Sequence, residues 1–343
     1  MNRILLEAIE DYAKNISNDL QRLQSTTEDL HESVKLSLND QETWRSNTRA
    51  AKAAKEETGK GVRQKMVLDW FSTLLGQNSR HQILIEARHG GTLEWSIKSL
   101  DFKEWLACKH KHLWLYGTGR FILSGFEIEM LIASPAGSGK SVYSAFLIEH
   151  LQQVCTRNPT ARKAMGFYYF DSNDDQDQII NRLLSSLIVQ LSYCLTNLPK
   201  VVEELYDNHS SDGRRPCNLV RQNLLVRTLA ALCDIHSSIF LVLDAIDELA
   251  ENDIYSLFDV LQQLSDLAGA RLQIFCASRP YLLIREEVDR LGWKTTSLKV
   301  EEIDKDISKY VTDCVGSKRA FSRLEAELKE SLCSKILQST QGM

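Results

Sequence analysis

An α/β fold, a parallel sheet with helices packed on both faces, is what this sequence predicts, and three observations carry that prediction. From about residue 113 onward, short apolar runs alternate with longer amphipathic stretches, the pattern of strand–helix–strand units. Several of those runs end in acidic or small polar residues, such as Asp171, Asp244 and Ser278, rather than in a hairpin turn. A glycine-rich segment stands directly before one of the predicted helices. Sheets of this kind bind ligands beyond the carboxyl ends of their strands, and the informative residues fall at those ends.

The elements follow in order. His112-Leu113-Trp114-Leu115-Tyr116-Gly117 opens the alternating region with an apolar run. A helix is expected from about 141 to 154. Ala164 to Phe170 reads as a strand that ends at Asp171, and a long helix follows from about 177 to 195. Another helix precedes the run Ser238-Ile239-Phe240-Leu241-Val242-Leu243. Leu272 to Ala277 makes the next strand, and Thr295-Thr296-Ser297-Leu298-Lys299-Val300 the last one.

Pro135-Ala136-Gly137-Ser138-Gly139-Lys140-Ser141 reads as the tail of a phosphate-binding loop. Small residues let successive backbone N–H groups turn inward around phosphate, and Lys140 can reach the β and γ phosphates. The Ser141 hydroxyl stands where Mg²⁺ is held at a helix start. Gly137, Ser138, Gly139, Lys140 and Ser141 are therefore the candidate nucleotide-binding residues. The full pattern G-x-x-x-x-G-K-[ST] asks for glycine at 134, where Ser134 stands. A plain glycine–serine loop before a helix is the competing reading, and two downstream segments weigh against it.

The first is the strand 238–243, which ends in Asp244-Ala245-Ile246-Asp247-Glu248 roughly a hundred residues after Lys140. A buried strand that delivers carboxylates at its end is the Walker B arrangement. Asp244 would hold Mg²⁺ with Ser141, and a later acid, Glu248 ahead of Asp247, would orient or deprotonate water. An acidic helix start favoured by the dipole alone is the plain alternative. The second segment is the strand that ends in Ser278-Arg279-Pro280. Arg279 at such a tip can sense or neutralise γ-phosphate charge; a surface turn residue before proline is its plain alternative.

Composition narrows the class. The chain has 343 residues, 43% hydrophobic and 25% charged, with a formal net charge of −5, which suits a globular protein and disfavours a nucleic-acid binder driven by bulk charge. No run approaches the ~20 apolar residues of a membrane span, and no secretory signal is evident. Eight scattered cysteines with no C-x-x-C pair fit reduced thiols and a cytoplasmic location. Cys108, His110 and His112 alternate but lack a fourth ligand nearby, so no metal centre is expected there.

Three regions are expected. Residues 1–61 read as a helical N-terminal extension in which Ile9, Ala13, Ile16, Leu20, Leu23, Leu30 and Val34 fall near heptad spacing, with Thr27 interrupting. A helix docked on its own domain and a coiled coil for self-association or partner helices both fit that seam. Residues 62–112 form a linker or helical lead-in that carries Trp70, Trp95 and Trp105, and residues 113–343 form the α/β domain.

With these residues in view, the chain resembles the NACHT type of STAND P-loop NTPase, as found in fungal NLR-like proteins and in nephrocystin-like N-terminal domains. The features are Trp105, the run Leu113 to Gly117, Gly137 to Ser141, Leu243-Asp244-Ala245-Ile246-Asp247-Glu248-Leu249, Ala277-Ser278-Arg279-Pro280 and Asp306-Ile307-Ser308-Lys309-Tyr310-Val311. The resemblance covers about residues 65–343. It implies an ASCE/AAA-like sheet, ATP or GTP bound with Mg²⁺, slow hydrolysis, and a nucleotide-controlled switch in a signalling sensor. A nucleotide-independent scaffold built on a degraded phosphate loop is the alternative from another class; a motor-type ATPase would need a ring and a trans arginine, for which nothing in the sequence speaks.

The chain departs from that pattern twice. In the family the strand runs straight into the phosphate loop; here residues 119–135 intervene. Without them the chain would read Gly117-Thr118-Ala136-Gly137-Ser138-Gly139-Lys140-Ser141, a complete motif. A retained intron explains this, and so does a real insertion in which Glu129-Met130-Leu131-Ile132-Ala133 replaces the first strand. The family also continues past this chain's ending into a winged helix and often repeats, so a truncated form is expected. Deleting residues 119–135 is expected to yield a more soluble protein that binds Mg·ATP or Mg·GTP more tightly in a calorimetric titration. Unfolding of the deleted form, or equal binding by the full chain, would make the segment a genuine first strand.

Overall fold

A computed structural model describes residues 60–72, 76–117, 139–157, 161–172, 178–193, 195, 197–210, 220–317 and 325–340. The chain divides into two units at Val62/Arg63, and the second is the subject below. The N-terminal heptad seam, the segment 119–135, Gly137 and Ser138 lie outside the described residues.

Among the described residues, four helices precede the first strand: α1 (Lys60–Phe71), α2 (Gln77–Ala87), α3 (Glu94–Lys98) and α4 (Leu100–Leu106). The sheet and its helices follow as β1 (His112–Tyr116), α5 (Lys140–Thr156), β2 (Lys163–Tyr169), α6 (Ile179–Tyr193), α7 (Lys200–His209), α8 (Gln222–Ile235), β3 (Ser238–Asp244), α9 (Glu251–Ala268), β4 (Leu272–Ser278), α10 (Leu282–Arg290) and β5 (Lys294–Ser297). Helices α11 (Val300–Ser317) and α12 (Ala326–Thr340) close the chain.

The five strands pair in the order β2-β3-β4-β1-β5, all parallel. Their carboxyl ends are level. Tyr169 pairs with Asp244, Asp244 with Ala277, and Tyr116 with both Ser278 and Ser297. Since β4 lies between β1 and β3, the strand ahead of Lys140 and the strand ending in Asp244 flank the strand ending in Ser278. This is an α/β fold built on a parallel sheet, as the sequence predicts. The position beside β4 is held by His112–Tyr116, upstream of residues 119–135, while Glu129–Ala133 lies outside the described residues.

Both sheet faces are covered, which is why the strands read as nearly continuous apolar runs. On one face Leu113, Leu115, Phe240, Val242 and Phe275 pack under α4 and α5. Trp105 anchors that layer: it is fully buried and meets Phe240 and Phe275 edge-on, with ring centroids 5.5 and 6.0 Å away. On the other face Trp114, Ile239, Leu241, Leu243, Ile274 and Cys276 meet the helices α6, α8 and α9. Gly166 in β2 lets α6 approach closely, since a Cβ there would stand 2.8 Å from Leu187 Cδ2.

The last strand is shorter than the sequence suggests. Pairing stops at Ser297, and Val300 already opens α11. Leu298 N–H still reaches the Tyr116 carbonyl at 3.3 Å, but the Lys299 carbonyl accepts from Glu302 and Ile303, at 3.1 Å each, which turns the chain into helix. Glu301 and Glu302 in the first turn suit the helix dipole. Apolar alternation at 295–300 therefore belongs half to a strand and half to a helix start.

Asp306 on α11 ties the closing helix to the lead-in. Its Oδ2 accepts from Leu93 N–H and from Trp95 Nε1, both at 2.9 Å. Leu93 is left-handed at φ 65°, a conformation that costs an L-residue roughly 1–2 kcal/mol, and the carboxylate holds it there.

The edge strand β2 would present unpaired backbone groups to solvent. Two glutamines close it. Gln77 Oε1 accepts from Tyr169 N–H at 2.6 Å while its Nε2 donates to Tyr169 O at 3.0 Å. Gln190 repeats the pattern on Phe167, at 2.9 and 2.8 Å. Each side-chain amide imitates a neighbouring strand at alternate residues. Replacing Gln77 by Ala leaves the Tyr169 amide and carbonyl unpaired, and is expected to cost about 2 kcal/mol. Urea denaturation should show a lowered midpoint with an unchanged slope, whereas Gln82→Ala on the exposed face of the same helix should change little.

Candidate functional site

The carboxyl edge of β1, β3 and β4 gathers the charged residues singled out in the sequence. Helix α5 begins at Lys140, behind Gly139 at φ 78° and ψ 4°. That left-handed residue is where the chain turns into the helix, and glycine adopts it without strain. The Gly139 carbonyl takes the first helical bond, from Tyr143 N–H at 2.9 Å. Tyr143 is buried and lies flat against Phe275 at 6.0 Å, which docks the start of α5 on the sheet.

Asp244 ends β3 only 2% exposed. Its Oδ1 accepts from Ser144 Oγ on α5 at 2.8 Å. Its Oδ2 is buried without a hydrogen-bond partner among the described residues. Burial pushes the carboxyl well above its ordinary pKa; the Ser141 and Ser144 hydroxyls and the positive charge of Arg80 counter this, and Asp247 adds to it. A buried carboxylate oxygen with nothing to accept from, beside the Ser141 hydroxyl, suits a hard cation. Lys140 is half-buried on the same edge. Burial lowers its pKa, the carboxylates of Asp247 and Asp244 oppose that, and Arg279 reinforces it.

The chain turns sharply after Asp244. Ala245 is left-handed at φ 62° and ψ 41°, and its N–H donates to Ala277 O at 2.9 Å. A single turn of 3₁₀-helix, Ile246–Glu248, follows. It buries Ile246 and brings Asp247 over the end of β4. Asp247 Oδ1 accepts from Arg279 N–H at 3.0 Å, and its Oδ2 pairs with Arg279 Nε at 3.3 Å. The Asp247 side chain is 5% exposed and that of Arg279 30%. Arg279 is held above its ordinary pKa first by a hydrogen bond with Tyr281 and then by Asp247 and Glu248. Glu248 is half-buried in the same turn, and its carboxylate makes no hydrogen bond with the described residues.

The structure thus brings together Gly139, Lys140, Ser141, Asp244, Asp247, Glu248 and Arg279, and divides the acids by environment. Asp244 is buried and half-satisfied, Asp247 is spent on Arg279, and Glu248 acts on Arg279 through charge alone, with no hydrogen bond to the described residues. Three contributors escaped the sequence reading. Ser144 lies three residues after Ser141 on one helix face, a spacing that could have found it. The Trp114–Ser278 contact, with the indole N–H donating to Ser278 Oγ at 2.8 Å and that hydroxyl donating to Arg279 O at 2.9 Å, is tertiary. So is Arg80, from α2. His112 points away from the site, to Ser265 Oγ at 2.9 Å and the Trp293 ring.

Residues 129–279 match the family model for the nephrocystin 3 N-terminal region. The match contains α5, β2, β3 and β4. It begins within the segment 119–135, downstream of the strand β1 that the sheet uses. No curated protein matches the chain. Among solved structures it is similar to a DNA replication initiation factor, at 12% identity and TM-score 0.37 over 74% of this chain and 62% of that one. It is also similar to the Drosophila ORC bound to GC-rich DNA and Cdc6, at 8% identity and TM-score 0.28 over 82% of each chain. The chain spans 62% of the length of the first of these. Among the described residues no helix is long and apolar enough to cross a membrane.

Asp244 generates a pH dependence. A carboxyl whose pKa is raised by folding adds stability while protonated and loses it as pH rises through its folded value. The ligand-free protein should therefore lose stability, relative to Asp244→Asn, as pH climbs from the ordinary carboxyl range toward neutrality. At neutral pH the variant should be the more stable by about 1–2 kcal/mol. Urea melts of both proteins from pH 4 to 8 check this; a gap independent of pH would contradict it.

Proposed function

We propose that this domain binds ATP or GTP with Mg²⁺ at the carboxyl edge of β1, β4 and β3, and that slow hydrolysis there works as a conformational switch of the STAND, NACHT-like signalling type. One observation carries the reading: Asp244 is buried with Oδ2 unpartnered, while Ser141 and Lys140 stand at the start of the helix beside it. A chain with no use for a cation would gain by replacing such a carboxylate with a neutral group.

The roles follow from the environments. Lys140 donates to the phosphates; burial lowers its pKa, and the carboxylates of Asp247 and Asp244 oppose that. Ser141 and Asp244 hold Mg²⁺, which when bound neutralises phosphate charge. Ser144 fixes the Asp244 carboxylate so that Oδ2 faces the ligand. Glu248 orients or deprotonates the attacking water, since its carboxylate makes no hydrogen bond with the described residues. Asp247 aims Arg279 at the charge that develops on the terminal phosphate. The side chain is presented by the tip of β4, between the two strands that bear the other groups.

Thermal shift and turnover assays test this together. At about 100 times Kd, nucleotide with Mg²⁺ should stabilise the parent by roughly 2.7 kcal/mol. Lys140→Ala should keep its fold and lose nearly all of that shift. Glu248→Gln should keep the shift and slow hydrolysis by 10²-fold or more, on the order of a general-base contribution. Equal shifts in parent and Lys140→Ala would favour the nucleotide-independent scaffold.

A further inference from the structure

Helix α2 lies outside the stretch that matches the nephrocystin family model, and it delivers one arginine to the end of the sheet. Gln77, at the start of α2, is 6% exposed and makes two hydrogen bonds to Tyr169, the last residue of β2. One helical turn later, Arg80 Nη1 donates to Phe170 O at 3.0 Å and to Asp171 Oδ2 at 2.9 Å. The guanidinium also lies 5.9 Å from the centre of the Tyr169 ring. Phe170 is the link to the site, because its N–H donates to the Asp244 carbonyl at 3.0 Å. A chain of backbone contacts therefore runs from Arg80 through the carbonyl and N–H on either side of the Phe170 Cα to Asp244, whose carboxylate is the metal-side group of the proposed function.

We propose that Arg80 is a positioning residue for the nucleotide site. From the lead-in helix it clamps the tip of β2 onto β3, and so fixes where Asp244 presents its free oxygen. This rests on the reading given under Proposed function. The geometry favours a dedicated clamp over an incidental surface pair. Gln77 would secure the helix to β2 by itself, and an arginine placed only for charge would need Asp171 alone. Arg80 uses one nitrogen for both a carboxylate and the backbone carbonyl of the residue that touches Asp244. Phe170 is fully buried, so its backbone has little freedom to move once both its N–H and its carbonyl are bonded.

The clamp predicts a particular split in binding. Losing a group that orients a metal ligand typically costs about 10–100-fold in metal-dependent affinity, and it should leave metal-free binding alone. The experiment measures Kd for ATP or GTP by the full chain, in Mg²⁺ and again in EDTA, for the parent, Arg80→Ala, Arg80→Lys and Lys140→Ala. Amide hydrogen exchange of the ligand-free proteins across Tyr169–Asp171 and Leu243–Ala245 accompanies it. Arg80→Ala should weaken binding about tenfold or more in Mg²⁺ and within twofold in EDTA. It should also speed exchange at both strand tips. Arg80→Lys, which keeps one charged donor, should recover part of the loss. Lys140→Ala should lose binding in both conditions with unchanged exchange at the β2 tip.

If the parent binds and Arg80→Ala binds equally well in Mg²⁺, the clamp is overturned and the proposed function stands. If Arg80→Ala weakens binding equally in Mg²⁺ and EDTA, its role is general folding and the clamp is likewise overturned. If the parent binds neither nucleotide, both readings fall together. Should Arg80→Ala not fold, Asp171→Asn, which removes the charge partner and leaves the backbone contact, takes its place with the same expected split of smaller size.

Discussion

One buried carboxylate constrains the rest of this site. Asp244 ends a strand in which residues 239–243 are all apolar, and a charge there loses its hydration without a full set of replacements. Ser144 satisfies one oxygen and the other has no partner among the described residues. Such a group is costly in a protein that has no use for it. Its neighbours therefore read as devices that keep it ionisable and correctly aimed: the hydroxyl of Ser141, the start of α5, and the positive charges of Lys140 and Arg80.

Sheet order converts that local arrangement into a site. Because β4 is inserted between β1 and β3, the Arg279 tip stands between the strand ahead of Lys140 and the strand bearing the acids. Asp247 then does two things at once. It holds the first residue after β4 through the backbone N–H, and it pairs with the guanidinium. The tight turn needed to bring Asp247 there forces Ala245 into the left-handed region, at roughly 1–2 kcal/mol. A non-glycine residue in that conformation at the edge of the site marks a backbone held for geometry rather than for stability.

The lead-in helices are part of the same machine. β2 is an edge strand, and Gln77 and Gln190 imitate a missing neighbour along it, which satisfies its backbone and blocks pairing with another chain. Helix α2 thereby becomes fixed to the strand tip next to Asp244. At the other end of the domain, Asp306 joins α11 to the left-handed Leu93 and to Trp95, and Trp95 packs edge-on against Tyr143 of α5 at 6.1 Å. The helix that begins at Lys140 thus touches the segment before the sheet directly and is linked to α11 through Trp95.

The sequence by itself determined the elements and the chemistry carried on them. Continuous apolar runs announced β2, β3 and β4 because strands buried on both faces need no alternation, and the runs ended at the charged tips where ligands bind. Gly139, Lys140, Ser141 and the Asp244–Glu248 cluster were legible because their meaning lies in spacing of a few residues. The last strand was misjudged at 298–300, where apolar residues serve a helix start equally well. Only the tertiary structure decided the strand order, the engagement of Asp247 by Arg279, the glutamine pairs on β2 and the place of Arg80. Gln77 and Arg80 reach partners some ninety residues away, and contacts at that separation depend on how the sheet is assembled, which no local pattern of residues records.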